Sequence, residues 1–326
     1  MTGGRGAEGP ADLVVSHYMP AAHGTHRDFI EPWARAVETG SRGALRVTVH
    51  TGDSPLGRLE RQHCQVVGGE VDVAHSVASL PRGRFPRTMI TGAPFLAESS
   101  PVGSRLLSAL LPRYLEEEYA ELRVLALHAD SGGLLHTRRG PIEGLEQLRG
   151  LRIRAPSDLV AAALARLGAE PVVLTPSEIR AAADGGVLDG AAMAWDVVDY
   201  TGTGTAFPHH LDTALYVSPL YFVMNRTRYE NLPAAAREAI DAVSGPALAE
   251  RLGGWWERWA SPAREAARQR GETITALGDG ERERWARAAR PAVDDWLGKL
   301  EADGIVDARE IYEAALALAR SGARRR

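Results

Sequence analysis

The chain has 326 residues, 44% of them hydrophobic and 25% charged, with a formal net charge of −4. That length buries a sizeable core and suggests about two domains. The near-balanced charge offers nucleic acid no basic footprint, and one cysteine, Cys64, excludes an internal disulfide or a multi-thiolate metal site.

Residues 1 to 11 are Gly-rich, have no apolar signal-peptide core and are expected to be disordered. No apolar run reaches the roughly 18 residues that span a membrane. Basic residues are almost all Arg, with Lys only at Lys299. Leu13 to His17 reads as a first strand, ended by Tyr18-Met19-Pro20. A helix over His26 to Val37 follows from the spacing of Phe29, Ile30, Trp33 and Val37. Leu45 to His50 alternates as a second strand. Arg58 to Val67 reads as a helix ended by Gly68-Gly69, with Leu59, Val66 and Val67 placing Cys64 as a buried thiol. Val71 to Val77 is a third strand, with His75 and Ser76 at its end.

Ile90 to Phe95 leads, as an extended segment, to Ser99-Ser100, caps for a helix over Val102 to Leu111. A further helix covers Arg113 to Glu121. Arg123 to His128 is a strand, and Asp130-Ser131-Gly132-Gly133 leads into Leu134 to Thr137. This DSGG string matches the run around one type of serine nucleophile. The alternation of helices and strands does not fit that fold, and a triad is recognised by geometry, not by a string. A crossing loop is the better reading.

Leu148 to Val198 is the most regular stretch. Leu151 to Arg154 is a strand with Leu151 and Ile153 on one face and Arg152 and Arg154 on the other. Ser157 caps a helix that ends at Gly168. Pro171 to Leu174 is a strand, Ser177 caps a second helix ended by Gly185-Gly186, and Val187 to Ala194 gives a turn and a third strand. This is β-α-β-α-β, the pattern of a parallel sheet with helical crossovers. Arg154 ends the first of these strands. Ligands bind outside such carboxyl ends, and a guanidinium matches a carboxylate with two donors. The plain alternative is a surface ion pair.

Leu215 to Met224 returns as one strand with an internal Ser-Pro. Asn231 opens a long helical region to about Gln269, with kink points at Gly245-Pro246, Gly253-Gly254 and Ser261-Pro262. Trp255, Trp256 and Trp259 are read as packing residues. Thr273 to Leu277 is a small strand, helices over 281–300 and 306–319 close the chain, and 321–326 is a polar tail. Gly202-Thr203-Gly204 lacks the third glycine of a dinucleotide loop. The close pairs His23/His26 and His209/His210 lack a metal-site pattern. No cofactor or metal is expected, and no nucleophile and base are in evident reach, so an enzyme is not expected.

GLRIRAP followed by LGAEPVVLTPSEIRAAADGGVLDGA resembles the substrate-binding proteins of TRAP transporters, of the C4-dicarboxylate-binding type. HYMPAAHGTHRDFIEPWARAVE, GRFPRTMITGAPFL and SPLYFVMNRTRYENLPAAAREAID resemble further segments of that family in the same order. The resemblance covers about residues 12 to 315. It implies an α/β, periplasmic-binding-protein-like fold with two lobes around a cleft, crossing strands and a long bent helix. Lobe I would be 12–134 with 222–260, and lobe II 135–221 with 261–320. It also implies a monomer, outside the cytoplasm, that captures a small organic acid for the membrane subunits of a TRAP transporter. The signal segment expected of such a protein is not visible in this sequence. Arg154 would grip the carboxylate. Trp195 would stack on or cover the ligand, with core packing as the alternative, and Asp196 would accept from a ligand hydroxyl or amino group. Arg138 or Arg139 would supply a second basic group. Tyr18, His75 and Ser76 would close the opposite wall, and Tyr221 with Phe222 would add an aromatic face. A ligand-presenting sensor subunit remains the alternative partner role, and the acid itself stays open.

Overall fold

The structure, a computed structural model, describes residues 10–323. Most of the expected disordered N-terminus and the end of the polar tail lie outside the described residues. Within them, the first strand already starts at Ala11 and the last helix runs to Ala323.

Backbone contacts divide the chain into two compact units. The first comprises the described residues up to Ser76, with Tyr119–Ala126 and Tyr221–Leu248. The second comprises Val77–Glu118, Leu127–Leu220 and the described residues from Ala249 on. No helix of the described residues is long and apolar enough to cross a membrane.

The first unit is built on β1 (Ala11–His17), α1 (Glu31–Gly40), β2 (Leu45–His50), α2 (Gln62–Gly68) and β3 (Val73–Val77). β1 pairs in parallel with both β2 and β3, as the β-α-β-α-β pattern requires. Phe29 and Trp33 pack edge-on against Phe222 at 5.0 and 4.9 Å. Gln62, Gln65 and Val66 form the buried face of α2. Cys64 therefore falls on the other face and is exposed, so the expectation of a buried thiol is wrong.

α3 (Pro86–Ile90) and α4 (Ser100–Leu110) belong to the second unit. Ile90 to Phe95 is not extended: α3 ends there, and Phe95 turns back with φ 61° to donate its N–H to Leu215 O. β4 (Leu122–Ala129) starts in the first unit and ends in the second, where β5 (Gly133–Thr137) follows. The expected triple of strands is β6 (Arg152–Ala155), β7 (Glu170–Val173) and β8 (Gly190–Met193), with α5 (Asp158–Arg166) and α6 (Pro176–Asp184) as crossovers. Ser157 caps α5 by accepting from Val160 N. α6 is capped by Thr175 rather than Ser177. Pro176 sits in the first turn, and Glu178 reaches back to accept from Thr175 N at 2.7 Å.

α7 (Trp195–Tyr200) then leads to β9 (His209–Tyr216) and β10 (Pro219–Asn225). The single return strand expected over 215–224 is thus two strands in two sheets. The first sheet has the order β2-β1-β3-β10-β4, and the second β11-β9-β5-β8-β6-β7. The break at Ser218 is enforced by Asp130: Ser218 N donates to its carboxylate at 2.7 Å, and Asp130 N donates to Ser218 O.

α8 (Arg226–Glu230) precedes the expected long helical region, which is broken into α9 (Ala234–Ala242) and α10 (Pro246–Gln269). Gly245 makes the break with φ 81°, ahead of Pro246. Gly253 serves a different purpose inside α10. A Cβ there would lie 2.9 Å from Pro101 Cα, so the glycine permits close helix packing. β11 (Thr273–Ala276), α11 (Asp279–Ala302) and α12 (Ala308–Ala323) complete the second unit. Ile153, Leu164, Leu211 and Trp285 anchor the core on one face of its sheet, and Ile179, Met193, Trp195 and Phe207 on the other.

Gly133 faces the Tyr216 ring so closely that a Cβ would lie 2.1 Å from Cε1. Gly133→Ala is expected to lose about 1–3 kcal/mol of unfolding free energy. Gly140→Ala, where a Cβ meets nothing within 4 Å, is expected to be near neutral. Urea denaturation of the two variants checks this.

Candidate carboxylate site

β6 and β8 run parallel, so their carboxyl ends open at the same edge of the second sheet. Arg154, next to last in β6, does not reach solvent: it is only 4% exposed. Its Nε donates to Leu174 O at 2.9 Å and its Nη1 to Ala192 O at 3.0 Å. These carbonyls fix the plane of the guanidinium. Two of its five N–H donors are thereby used on neutral acceptors, and no carboxylate among the described residues pairs with it. Burial works against the charge and lowers the pKa of Arg154. A buried cation is costly until an anion reaches it.

Residues distant in sequence surround this group. Tyr216, at the end of β9, donates its hydroxyl to the same Ala192 O at 3.1 Å. Burial pushes the phenols of Tyr216 and Tyr200 up, against the neighbouring charge of Arg154. Both are therefore neutral donors at neutral pH. Asp130, in the turn between β4 and β5, accepts from Gly132 N and Ser218 N. Burial pushes its carboxyl up to about 6. Asp196, in the first turn of α7, accepts from Ser131 Oγ at 3.3 Å. Burial, reinforced by Asp130, pushes it up to about 7. Two carboxyls that resist ionisation thus stand near one buried guanidinium.

Asp196 is within this group, as is the DSGG turn, whose Asp130 accepts from Gly132 N and Ser218 N and whose Ser131 donates to Asp196. Trp195 is buried. Its ring lies across His136 at 5.1 Å and His210 at 4.5 Å. Its indole Nε1 is buried and has no hydrogen-bond partner. Arg138 is engaged elsewhere: its Nη2 donates to Ala183 O and its guanidinium lies 5.9 Å from the Phe207 ring. Arg139 is exposed and pairs with Asp189 at 3.2 Å.

The remaining expected residues belong to the first unit. Tyr18 and His75 stack with their rings 6.0 Å apart, and Phe29 meets His75 edge-on. Tyr221 and Ser76 are fully buried; burial pushes the Tyr221 phenol up, partly offset by the Ser76 hydroxyl. Phe222 is the core ring of that unit. Residues not expected from sequence join the end of β1 here. Gln62 Nε2 donates to Ser16 Oγ at 3.0 Å, and His17 contacts His26 at 3.2 Å. Burial and then His26 lower His17 to about 3. No group of three or more His, Cys, Asp or Glu among the described residues is arranged to hold a metal ion.

The profile of the bacterial extracellular solute-binding proteins of family 7, DctP, matches residues 15–299. The chain belongs to this family. It is 24% identical over 316 residues to the outer membrane transporter protein TsaT of Comamonas testosteroni, covering 94% of this chain and 91% of that one. Among solved structures it is similar to a marine metagenome TRAP solute-binding protein specific for aromatic acids, complexed with 3-hydroxybenzoate. That likeness has TM-score 0.90 and 26% identity over 96% of this chain and 99% of the other. A TRAP solute-binding protein from Rhodoferax ferrireducens with copurified benzoate gives TM-score 0.89 and 26% identity, again over 96% and 99%. The TRAP receptor fold expected from the ordered segments is therefore the fold of this chain, and its function is that of a solute-binding protein.

In this solute-binding protein the Asp196 charge has a measurable signature. A carboxyl raised above its ordinary value favours the folded state at low pH and loses that advantage as pH rises through about 4 to 7. Asp196→Asn keeps an acceptor for Ser131 and removes the buried charge. Relative to wild type it is expected to gain about 1–3 kcal/mol more stability at pH 8 than at pH 4. Denaturant titrations at the two pH values check this.

Proposed function

We propose that this protein captures a small aromatic monocarboxylate outside the cytoplasm and hands it to the membrane subunits of a TRAP transporter. The observation that carries the reading is Arg154, buried and oriented by two carbonyls without a carboxylate partner. An incoming carboxylate supplies the missing charge and takes the donors left on the guanidinium. Tyr216 and Tyr200 add neutral phenols and ring surface next to that charge. The benzoate and 3-hydroxybenzoate bound by the two similar structures support an aromatic acid over a sugar acid. Asp196 favours a ligand that also carries a donor, such as a ring hydroxyl. Tyr18, His75, Ser76 and Tyr221 of the first unit are proposed as further ligand-contacting residues, and Arg138 is left as a structural residue. Capture and release involve no covalent step, and the receptor acts as a monomer.

A thermal-shift series tests this with benzoate, 3-hydroxybenzoate, mandelate, glucuronate, pyroglutamate and neutral benzamide. An aromatic acid at about 100 times its dissociation constant is expected to stabilise by about 2.7 kcal/mol, a rise of several degrees in Tm. Benzamide is expected to give none. Equal shifts with benzamide, or none with any acid from ligand-free refolded protein, would overturn the reading. Arg154→Lys keeps the charge but loses the planar fork, and is expected to weaken benzoate binding by about 100-fold.

A further inference from the structure

A chain of hydrogen bonds runs through the second unit beneath Trp195. His136 on β5 and His210 on β9 are paired across the antiparallel ladder, and both are buried. Their Nδ1 atoms are 2.7 Å apart. At one end His136 Nε2 meets Met193 O at 3.1 Å. At the other, His210 Nε2 meets Glu272 Oε2 at 2.9 Å. Glu272 also accepts from Arg270 Nε at 2.6 Å and Nη2 at 3.0 Å, which holds it ionised.

Counting protons along the chain leaves one arrangement. A carbonyl only accepts, so His136 Nε2 carries a proton. A carboxylate held by arginine only accepts, so His210 Nε2 carries one as well. The contact between the two Nδ1 atoms needs a proton between them. Two neutral imidazoles carry two protons on their four nitrogens, and this chain requires three. Turning either ring would replace a nitrogen at 2.7 Å by a C–H group, which does not relieve the contact.

We infer that His136 and His210 share one extra proton at neutral pH, and that this imidazole–imidazolium pair is the positioning device for Trp195 at the binding end of β8. Its consequence for ligand affinity rests on the function proposed above. The pair holds Met193 O, while Arg154 and Tyr216 hold the adjacent Ala192 O on the same strand. Two cationic groups from different strands thus grip consecutive carbonyls just ahead of Trp195. The Trp195 ring packs on both imidazoles, where a cation is favoured over a π face. Held so, its indole N–H stays buried and without an acceptor, a donor open to a ligand oxygen.

The charged and titratable groups around the pair are few. Burial lowers the proton affinity of His210, helped by Arg270 and His209. The hydrogen bond and charge of Glu272 oppose this, and the net direction is downward. Only the hydrogen-bond geometry of the chain calls for the extra proton. On α10, Arg264 is occupied with Asp212 of β9 at 3.3 Å, and on α6 Arg180 is occupied with Asp184. Asp196 follows Trp195 on α7, linked to Ser131. The hydrogen-bond pattern calls for one shared proton, and burial with the charge of His210 pushes His136 down to about 3, which works against a second. The folded protein therefore loses stability on both sides. Below about 6.5 the unfolded chain binds the second proton that the folded pair refuses. Above the pair's own value the shared proton leaves, and two lone pairs face each other.

The test is nitrogen NMR of histidine-labelled, ligand-free protein between pH 5 and 9. Three protonated nitrogens on the two rings at pH 7 are expected, with the Trp195 indole N–H resonance moving at the same midpoint as the pair. Two neutral rings at pH 7 overturn the shared proton. An indole resonance that ignores the titration overturns the positioning role. Glu272→Gln offers His210 a donor or an acceptor, so the pair is expected to become neutral at pH 7 with the fold retained by circular dichroism. In a second arm, benzoate affinity of the wild type is expected to fall about fivefold or more as pH rises through the midpoint. It is expected to stay flat in Glu272→Gln over the same range. If benzoate binds at no pH, the proposed ligand is wrong, while the NMR arm still decides the proton count.

Discussion

A guanidinium buried among neutral acceptors is the constraint around which the second unit is arranged. Arg154 gives up solvation and finds two carbonyls in exchange, at Leu174 and Ala192. Those carbonyls come from the residue just after β7 and from β8, so the charge is placed only when all three parallel strands are in register. The helices that make the register, α5 and α6, are short and well capped. No carboxylate among the described residues pairs with Arg154, and the role proposed for it, holding an acid, would turn this deficit to use.

The neighbouring carboxyls make the same point from the other side. Asp130 and Asp196 are kept from easy ionisation by burial, so they do not simply neutralise Arg154. Asp130 also ties the turn before β5 to the link between β9 and β10. One residue thus sets both the electrostatics near the site and the point where the chain leaves one sheet for the other. The histidine pair extends this logic: polar groups gather at the end of β8 because that is where carbonyls and indole must be held still.

Part of the proposed site was legible in the chain as a set of candidates. Arg154 could be picked out because a strand ending in Arg-Ala-Pro, followed by a capped helix, places a side chain at a known kind of edge. Asp196 could be named from its place after β8, and the structure puts it beside Ser131 and Asp130. Tyr216, Tyr200 and the role of Asp130 were not visible, since no spacing links residues 130, 154, 200 and 216. Trp195 stays between ligand contact and core packing in the sequence, because only its place after a strand is visible there; the His136–His210 pair, which covers its ring, is formed by two strands 74 positions apart in the chain. Cys64 was misplaced because Val66 and Val67 look apolar on any helix, and only the packing of Gln62 and Gln65 shows which side turns inward.

Local chemistry, then, is what the sequence determined by itself: helices from apolar spacing and caps, strands from alternation, breaks at Gly245-Pro246, and through the ordered segments the solute-binding family. The tertiary structure alone decided which strands share a sheet, where Ser218 splits one expected strand into two, and which side chains meet Arg154. The physical reason is range. Caps, turns and periodicity act within a few residues and leave their mark on neighbouring letters. Burial, shared protons and the desolvation of a charge depend on atoms that are close only after the chain has folded.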